Sequence, residues 1–258
     1  MKEEKILANN VLTNCYIEGD GEPFLILHGW AGSSKSWEKV IEKLKNNFKL
    51  ICPDLPGFGK TPPPSFAWSL KDYVLWLKDI FEAFSLKKTI LLGHSFGGRI
   101  AIKFAISFPE RIKILILLAS AGIKEKLGIK GRILSFFSFW GNRFFSFKPT
   151  LHLKNQARKI LYFFLRDKDY VRASERMKKI MINIISEDLL PLLPSIKNKT
   201  LILWGERDNI LELKHAYLFY KKVPDSQLFI IPKVSHAPNI KAPDVLVDFI
   251  LYALKKNN

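Results

Sequence analysis

The ten residues Ile90-Leu91-Leu92-Gly93-His94-Ser95-Phe96-Gly97-Gly98-Arg99 constrain this chain more tightly than any others. The apolar run from Thr89 to Leu92 has the length and composition of a buried strand. A helical pattern begins at Phe96 and puts Ile100, Phe104 and Phe108 on one face. Between them stands Gly-x-Ser-x-Gly, a sharp strand-to-helix turn that lifts a serine out of the sheet edge. Gly93 and Gly97 have no Cβ, so strand and helix can close on each other around a strained Ser95. The helix N-terminus then sets a free N–H and a positive dipole end beside the hydroxyl, as a nucleophile whose reaction builds an oxyanion requires. The bare pattern is weak, and the strand before it and helix after it give it its force.

The flanking sequence repeats that alternation. Residues 5–8 and 13–18 read as a first pair of strands, with a turn at Gly19-Asp20-Gly21. Phe24 to Leu27 is a strand ending in His28-Gly29-Trp30-Ala31-Gly32, and Ser36 to Leu44 is an amphipathic helix. Leu50 to Pro53 is a strand followed by Asp54-Leu55-Pro56-Gly57-Phe58-Gly59, and the proline-rich run from Thr61 to Pro64 is loop. Ser69 caps a helix carrying Tyr73, Leu77, Ile80 and Phe84. Ile112 to Leu118 is another buried strand. Strands and helices resume with Thr200–Trp204, a helix near 211–222, Leu228–Ile231 and a closing helix over 244–254. Such alternation predicts an α/β fold with a mostly parallel sheet. Residues 123–190 offer no strand, only helical patterns near 130–147, 154–166 and 168–185. They are expected to be an all-helical insertion into a core formed by 1–122 and 191–258.

A serine in this turn needs a base, and the base needs an orienting acid. Of five histidines, His236 follows the last strand, in Val234-Ser235-His236-Ala237-Pro238. It is the expected base. His94 adjoins the serine but should point away and pack. His28 should fix the backbone of its glycine loop, His215 lies mid-helix, and His152 is in the insertion. Asp208, at the end of the strand before His236, is the expected acid, with Glu206 as local competitor. The backbone N–H groups of Phe96 and Trp30 are the expected oxyanion donors. No metal-ligand spacing exists, and this chemistry calls for no cofactor.

The motifs HGW (28–30), DLPGFG (54–59), GHSFGG (93–98), GERD (205–208) and SHAP (235–238) together resemble the α/β-hydrolase-fold serine hydrolases over nearly the whole chain. That resemblance implies an α/β-hydrolase fold, a Ser95–His236–Asp208 triad and a helical cap over the site, matching 123–190. Family members with aspartate at the nucleophile position are dehalogenases or epoxide hydrolases, and Ser95 argues against both. HGW, DLPGFG and the His-Ala-Pro ending look most like the branch of carboxylesterases that cleave pimeloyl-carrier-protein methyl ester, although that branch has Trp where His94 stands. An ester hydrolase working through an acyl-enzyme is therefore expected. Carbon–carbon hydrolases of ring-cleavage products, and non-catalytic ligand receptors on this fold, are the alternatives.

The formal charge of +17 favours an anionic partner or reflects a lysine-rich host. Between 123 and 190 stand fifteen lysines and arginines against six acidic residues. Seven aromatics lie between 136 and 147, Phe136, Phe137 and Trp140 among them. They either pack the cap onto the core or, with Trp30 and Phe96, line an acyl or aryl site under a cationic face. Such a face suits an acidic carrier protein or an anionic membrane surface. No nucleic-acid fold signature accompanies the charge. Two cysteines give no disulfide framework, and MKEEKILANN lacks a signal-peptide core, so a cytoplasmic location is expected.

Overall fold

Every second residue of the central strands faces a different core. Leu25, Leu27, Leu91, Leu115, Leu117, Ile202 and Trp204 belong to one apolar cluster. Their neighbours Phe24, Ile26, Ile90, Leu92, Ile114, Ile116, Leu201 and Leu203 belong to the other. This period of two, with both faces covered, is why these strands read as unbroken apolar runs. The computed structural model describes residues 2–124 and 174–256.

Eight strands form one sheet: β1 (Lys2–Ala8), β2 (Val11–Glu18), β3 (Glu22–Leu27), β4 (Phe48–Pro53), β5 (Thr89–His94), β6 (Ile112–Leu118), β7 (Thr200–Gly205) and β8 (Ser226–Ile231). Their spatial order is β1-β2-β4-β3-β5-β6-β7-β8. The β1–β2 and β2–β4 pairs are antiparallel, and every other pair is parallel. After β3 the chain steps outward to β4, then returns to β5 on the other side. The β3/β5 boundary is thus a topological switch point, where the loops after the two strands diverge and leave a crevice at their C-terminal ends.

The helices are α1 (Glu38–Leu44), α2 (Leu70–Ala83), α3 (Phe96–Ser107), α4 (Glu175–Ser186), α5 (Leu213–Lys222), the short α6 (Pro238–Lys241) and α7 (Pro243–Lys255). Leu77 of α2, Ile100 and Phe104 of α3, Ile180 of α4 and Phe219 of α5 cover one face of the sheet. Val40 and Leu44 of α1 cover the other with Leu246 and Ile250 of α7. No helix among the described residues is long and apolar enough to cross a membrane.

Several starts and stops differ from the periodicity. The β1–β2 hairpin closes on Asn9-Asn10, both at positive φ (42° and 60°), as a two-residue turn matched to strand twist requires. The helix expected from Ser36 opens as a 3-10 turn at Ser34–Trp37 and becomes α-helical only at Glu38. Ser69 does cap α2, where the Asp72 carboxylate accepts from the Ser69 N–H (2.8 Å) and hydroxyl (2.7 Å). Of the helix expected over 168–185 the structure describes α4, whose N-cap Ser174 accepts at its hydroxyl from the Met177 N–H, and residues 168–173 lie outside the described residues. Most of the segment expected to be a helical insertion, with Phe136, Phe137, Trp140 and His152, lies outside the described residues.

Candidate active site

Loops after four strands, β3, β5, β7 and β8, converge beside the switch point. The turn from β5 into α3 holds Ser95 at φ 50° and ψ −110°, where an L-residue is strained by about 1–3 kcal/mol. Neighbours over-determine that backbone. The Ser95 N–H donates to the Leu118 carbonyl (3.1 Å), and the Ser95 carbonyl accepts from Gly98 (3.0 Å) and Ala121 (3.0 Å). A Cβ on Gly97 would collide with the Leu27 carbonyl, and one on Gly93 would sit 2.6 Å from the Gly97 carbonyl. Two glycines are therefore needed for the serine to stand where it does. Phe96 opens α3, so the helix itself leaves its N–H without an acceptor.

The loop after β8 brings His236 to this serine, with Nε2 3.1 Å from the Ser95 Oγ. Its Nδ1 is 2.7 Å from Oδ2 of Asp208, in the loop after β7. The Asp208 side chain is wholly buried, and its other oxygen accepts from the N–H groups of Ile210 and Leu211 (2.9 Å each). Those two bonds fix the carboxylate with one oxygen aimed at the imidazole. Glu206 is turned elsewhere, since its carboxylate accepts from the Lys233 N–H (2.8 Å). The structure thus brings Ser95, His236 and Asp208 into one hydrogen-bonded line and leaves Glu206 out of it.

The glycine loop after β3 lines the same crevice. His28 is fully buried and accepts the Leu55 N–H at Nε2 (2.9 Å), so its proton sits on Nδ1 and is donated to the Gly29 carbonyl (2.8 Å). Burial holds this imidazole down to about 4, and it stays neutral. It therefore ties the glycine loop to the loop beginning at Asp54. Asp54, also buried, accepts from the Ser34 N–H (2.7 Å) and hydroxyl (2.6 Å) and from the Lys60 N–H (2.9 Å). Trp30 contacts Phe96 and Phe58 edge-on, with ring centres 5.5 and 4.8 Å apart. Tyr73 also packs edge-on to Phe96 (5.2 Å).

Two features escaped the periodicity and motif reading. His94 was expected only to pack; its Nε2 also meets the His236 carbonyl at 2.9 Å. Arg99 is buried, and its Nη1 donates to the carbonyls of Ile184 and Glu187 (2.9 Å each) at the C-terminal end of α4. Desolvation pushes this guanidinium below its ordinary range, opposed by the nearby Glu187 and Asp188 carboxylates. Both partners lie far away in sequence, and no local pattern announces them.

A family described as alpha/beta hydrolase fold matches residues 22–243. The chain belongs to that family. As an alpha/beta hydrolase it is similar to a pimeloyl-[acyl-carrier protein] methyl ester esterase from Wigglesworthia glossinidia brevipalpis, at 35% identity covering 94% of this chain and 97% of the relative. It is 26% identical to a 2-hydroxy-6-oxo-2,4-heptadienoate hydrolase from Pseudomonas putida, covering 90% of this chain and 88% of that one. A solved meta-cleavage product hydrolase from Pseudomonas fluorescens has the same fold, with a TM-score of 0.74 at 22% identity over 99% of this hydrolase and 98% of that chain.

Proposed function

We propose that this alpha/beta hydrolase is a carboxylesterase acting through an acyl-enzyme on Ser95. The observation that carries the reading is the unbroken line from Ser95 Oγ through His236 to Asp208, 3.1 and 2.7 Å, at the switch point of the sheet. Ser95 Oγ attacks the ester carbonyl carbon while its proton passes to His236 Nε2. The tetrahedral oxyanion is held by the N–H groups of Phe96 and Trp30, worth several kcal/mol in a desolvated site. As the intermediate collapses, the C–O bond breaks and His236 returns the proton to the departing alcohol. Water then attacks the acyl-enzyme, gives its proton to His236, and the carboxylic acid leaves as Ser95 is reprotonated. Asp208 keeps the imidazole in the tautomer with its proton on Nδ1 and stabilises the imidazolium.

The substrate class is a carrier-linked acyl ester, supported by the 35% identical methyl ester esterase. Trp30, Phe96, Phe136, Phe137 and Trp140 bind its acyl chain between the core and a helical cap formed by 123–190. The excess of basic residues in that segment is the docking face for an acidic carrier. A carbon–carbon hydrolase is the second reading, favoured by the 26% identical heptadienoate hydrolase. The two are separated by kcat/KM for a methyl ester on an acidic carrier protein, for a small neutral ester and for a ring-cleavage product. Charge steering is screened over about 10 Å at 0.1 M salt. The carrier-linked ester should therefore be preferred, and only its kcat/KM should fall steeply as salt rises. A preference for the ring-cleavage product would overturn the ester reading, and equal salt dependence for both esters would remove the carrier.

A further inference from the structure

We propose that His94 is a positioning residue for His236, its Nε2–H fixing the main-chain carbonyl from which the base is hung. The inference rests on the reading of Ser95 as nucleophile and His236 as base. A carbonyl oxygen can only accept, so the 2.9 Å contact requires the proton of His94 on Nε2. His94 is the last residue of β5, held opposite Leu118 by strand pairing, and Ser95 follows it directly. Two consecutive residues thus grip His236 at both ends, Ser95 at the imidazole Nε2 and His94 at the backbone oxygen.

Nothing else among the described residues does this for the His236 backbone. The loop after β8 is bonded to the loop after β7 through Ile231 to Glu206 (3.0 Å), Val234 to Arg207 (2.8 Å), and Lys233 to the Glu206 carboxylate (2.8 Å). Those ties stop two residues short of the base. His94 itself has little freedom. Trp37 lies edge-on to its ring at 6.1 Å, and Gly29 is so near that a Cβ there would stand 3.1 Å from Nδ1. A donor with its rotamer locked by packing is what holds a reacting group within the about 0.5 Å that productive geometry tolerates.

The pairing also suits the charge that catalysis creates. The two imidazole rings lie 5.1 Å apart. Around them stand Asp208, which faces His236, and His28 beyond His94. Burial above all, with the neighbouring His236 adding to it, keeps the His94 imidazole down to about 3, and His28 is likewise neutral. An imidazolium forming on His236 therefore faces one carboxylate and an uncharged ring.

The test compares His94→Leu with His94→Gln on a p-nitrophenyl acyl ester across the range where imidazole titrates, with thermal unfolding as control for the fold. Leucine should lower kcat by about 10²-fold with little change in KM, the cost of a slight misplacement of a catalytic group. It should also move the acid limb of the pH profile to lower pH, because a loosened His236–Asp208 bond supports the imidazolium less. Glutamine, whose amide can reach the same carbonyl, should recover most of both losses. Equal behaviour of the two variants, or a leucine variant close to wild type, would overturn the proposal. If the leucine variant does not fold, His94→Asn replaces it, since its shorter amide stops short of the carbonyl: glutamine more active than asparagine supports the proposal, and equality overturns it. Turnover surviving Ser95→Ala would instead remove the parent reading, so the two failures are distinct.

Discussion

Arg99, four residues along the helix that starts beside Ser95, donates to the Ile184 carbonyl 2.9 Å away and so holds the last turn of α4. One turn further on, Lys103 pairs with the Glu187 carboxylate at 2.8 Å. Met177 of α4 packs against Gly57, and Arg176 donates to the Pro64 carbonyl (3.0 Å). The helix that starts beside Ser95 is thus braced against the C-terminal end of α4. A cation at a helix C-terminus satisfies orphan carbonyls and the negative end of the dipole together.

Arg99→Met keeps the aliphatic bulk and removes both donors. Hydrogen bonds to a charged group contribute about 1.5–3 kcal/mol each. The variant should lose roughly 3 kcal/mol or more, a fall in Tm of about 6–12 °C for a chain of this size. Lys103→Met should cost much less, because a half-exposed pair is worth about 0–1 kcal/mol. Calorimetry giving both variants the same Tm would show that Arg99 is no anchor.

The choice of acid is open to direct comparison. Asp208→Asn should cut kcat by about 10³–10⁴-fold, since an amide cannot hold the imidazole in its working tautomer or stabilise its charge. Glu206→Gln should cost less than about tenfold, because Glu206 binds a turn N–H and not the histidine. A larger loss for Glu206→Gln would reverse the assignment of the acid.

Much of this arrangement was legible because its signals are local. The Gly-x-Ser-x-Gly turn, the Asp208 strand end and the loop carrying His236 each follow an apolar run and stand at the same sheet edge. The parallel core was legible for the same reason, since buried strands such as Ile112–Leu118 are unbroken apolar runs. Glu206 could not be set aside from sequence, because it and Asp208 share one strand-end loop and differ only in where their side chains turn. The bond from His94 to the His236 carbonyl spans 142 positions, and the ties of Arg99 span 85 and 88. Nothing in a local window carries such contacts. The 3-10 opening of α1 was hidden because Ser36 and Trp37 fit a helical spacing equally well.

Stability should carry the signature of the two buried histidines. An unfolded histidine titrates near 6.5, whereas burial holds folded His28 down to about 4 and His94 to about 3. As pH falls below 6.5 the unfolded chain takes up protons that the folded chain refuses. The unfolded state then binds more protons, so unfolding free energy rises with pH in this window. Stability is full above 6.5 and declines progressively as pH falls toward 4 and 3. The urea midpoint at about pH 5 should lie below that at about pH 7, and His94→Gln should reduce the difference. Equal midpoints would mean that the histidines are not buried neutral.

The central claim is that Ser95 carries the acyl group, and covalent labelling tests it most directly. Wild-type protein treated with a fluorophosphonate, digested and sequenced by mass spectrometry should carry the label on Ser95. Labelling should slow sharply in His236→Ala and vanish in Ser95→Ala, with ester turnover lost in parallel. Label on another residue, or turnover and labelling that persist in folded Ser95→Ala, would contradict the account.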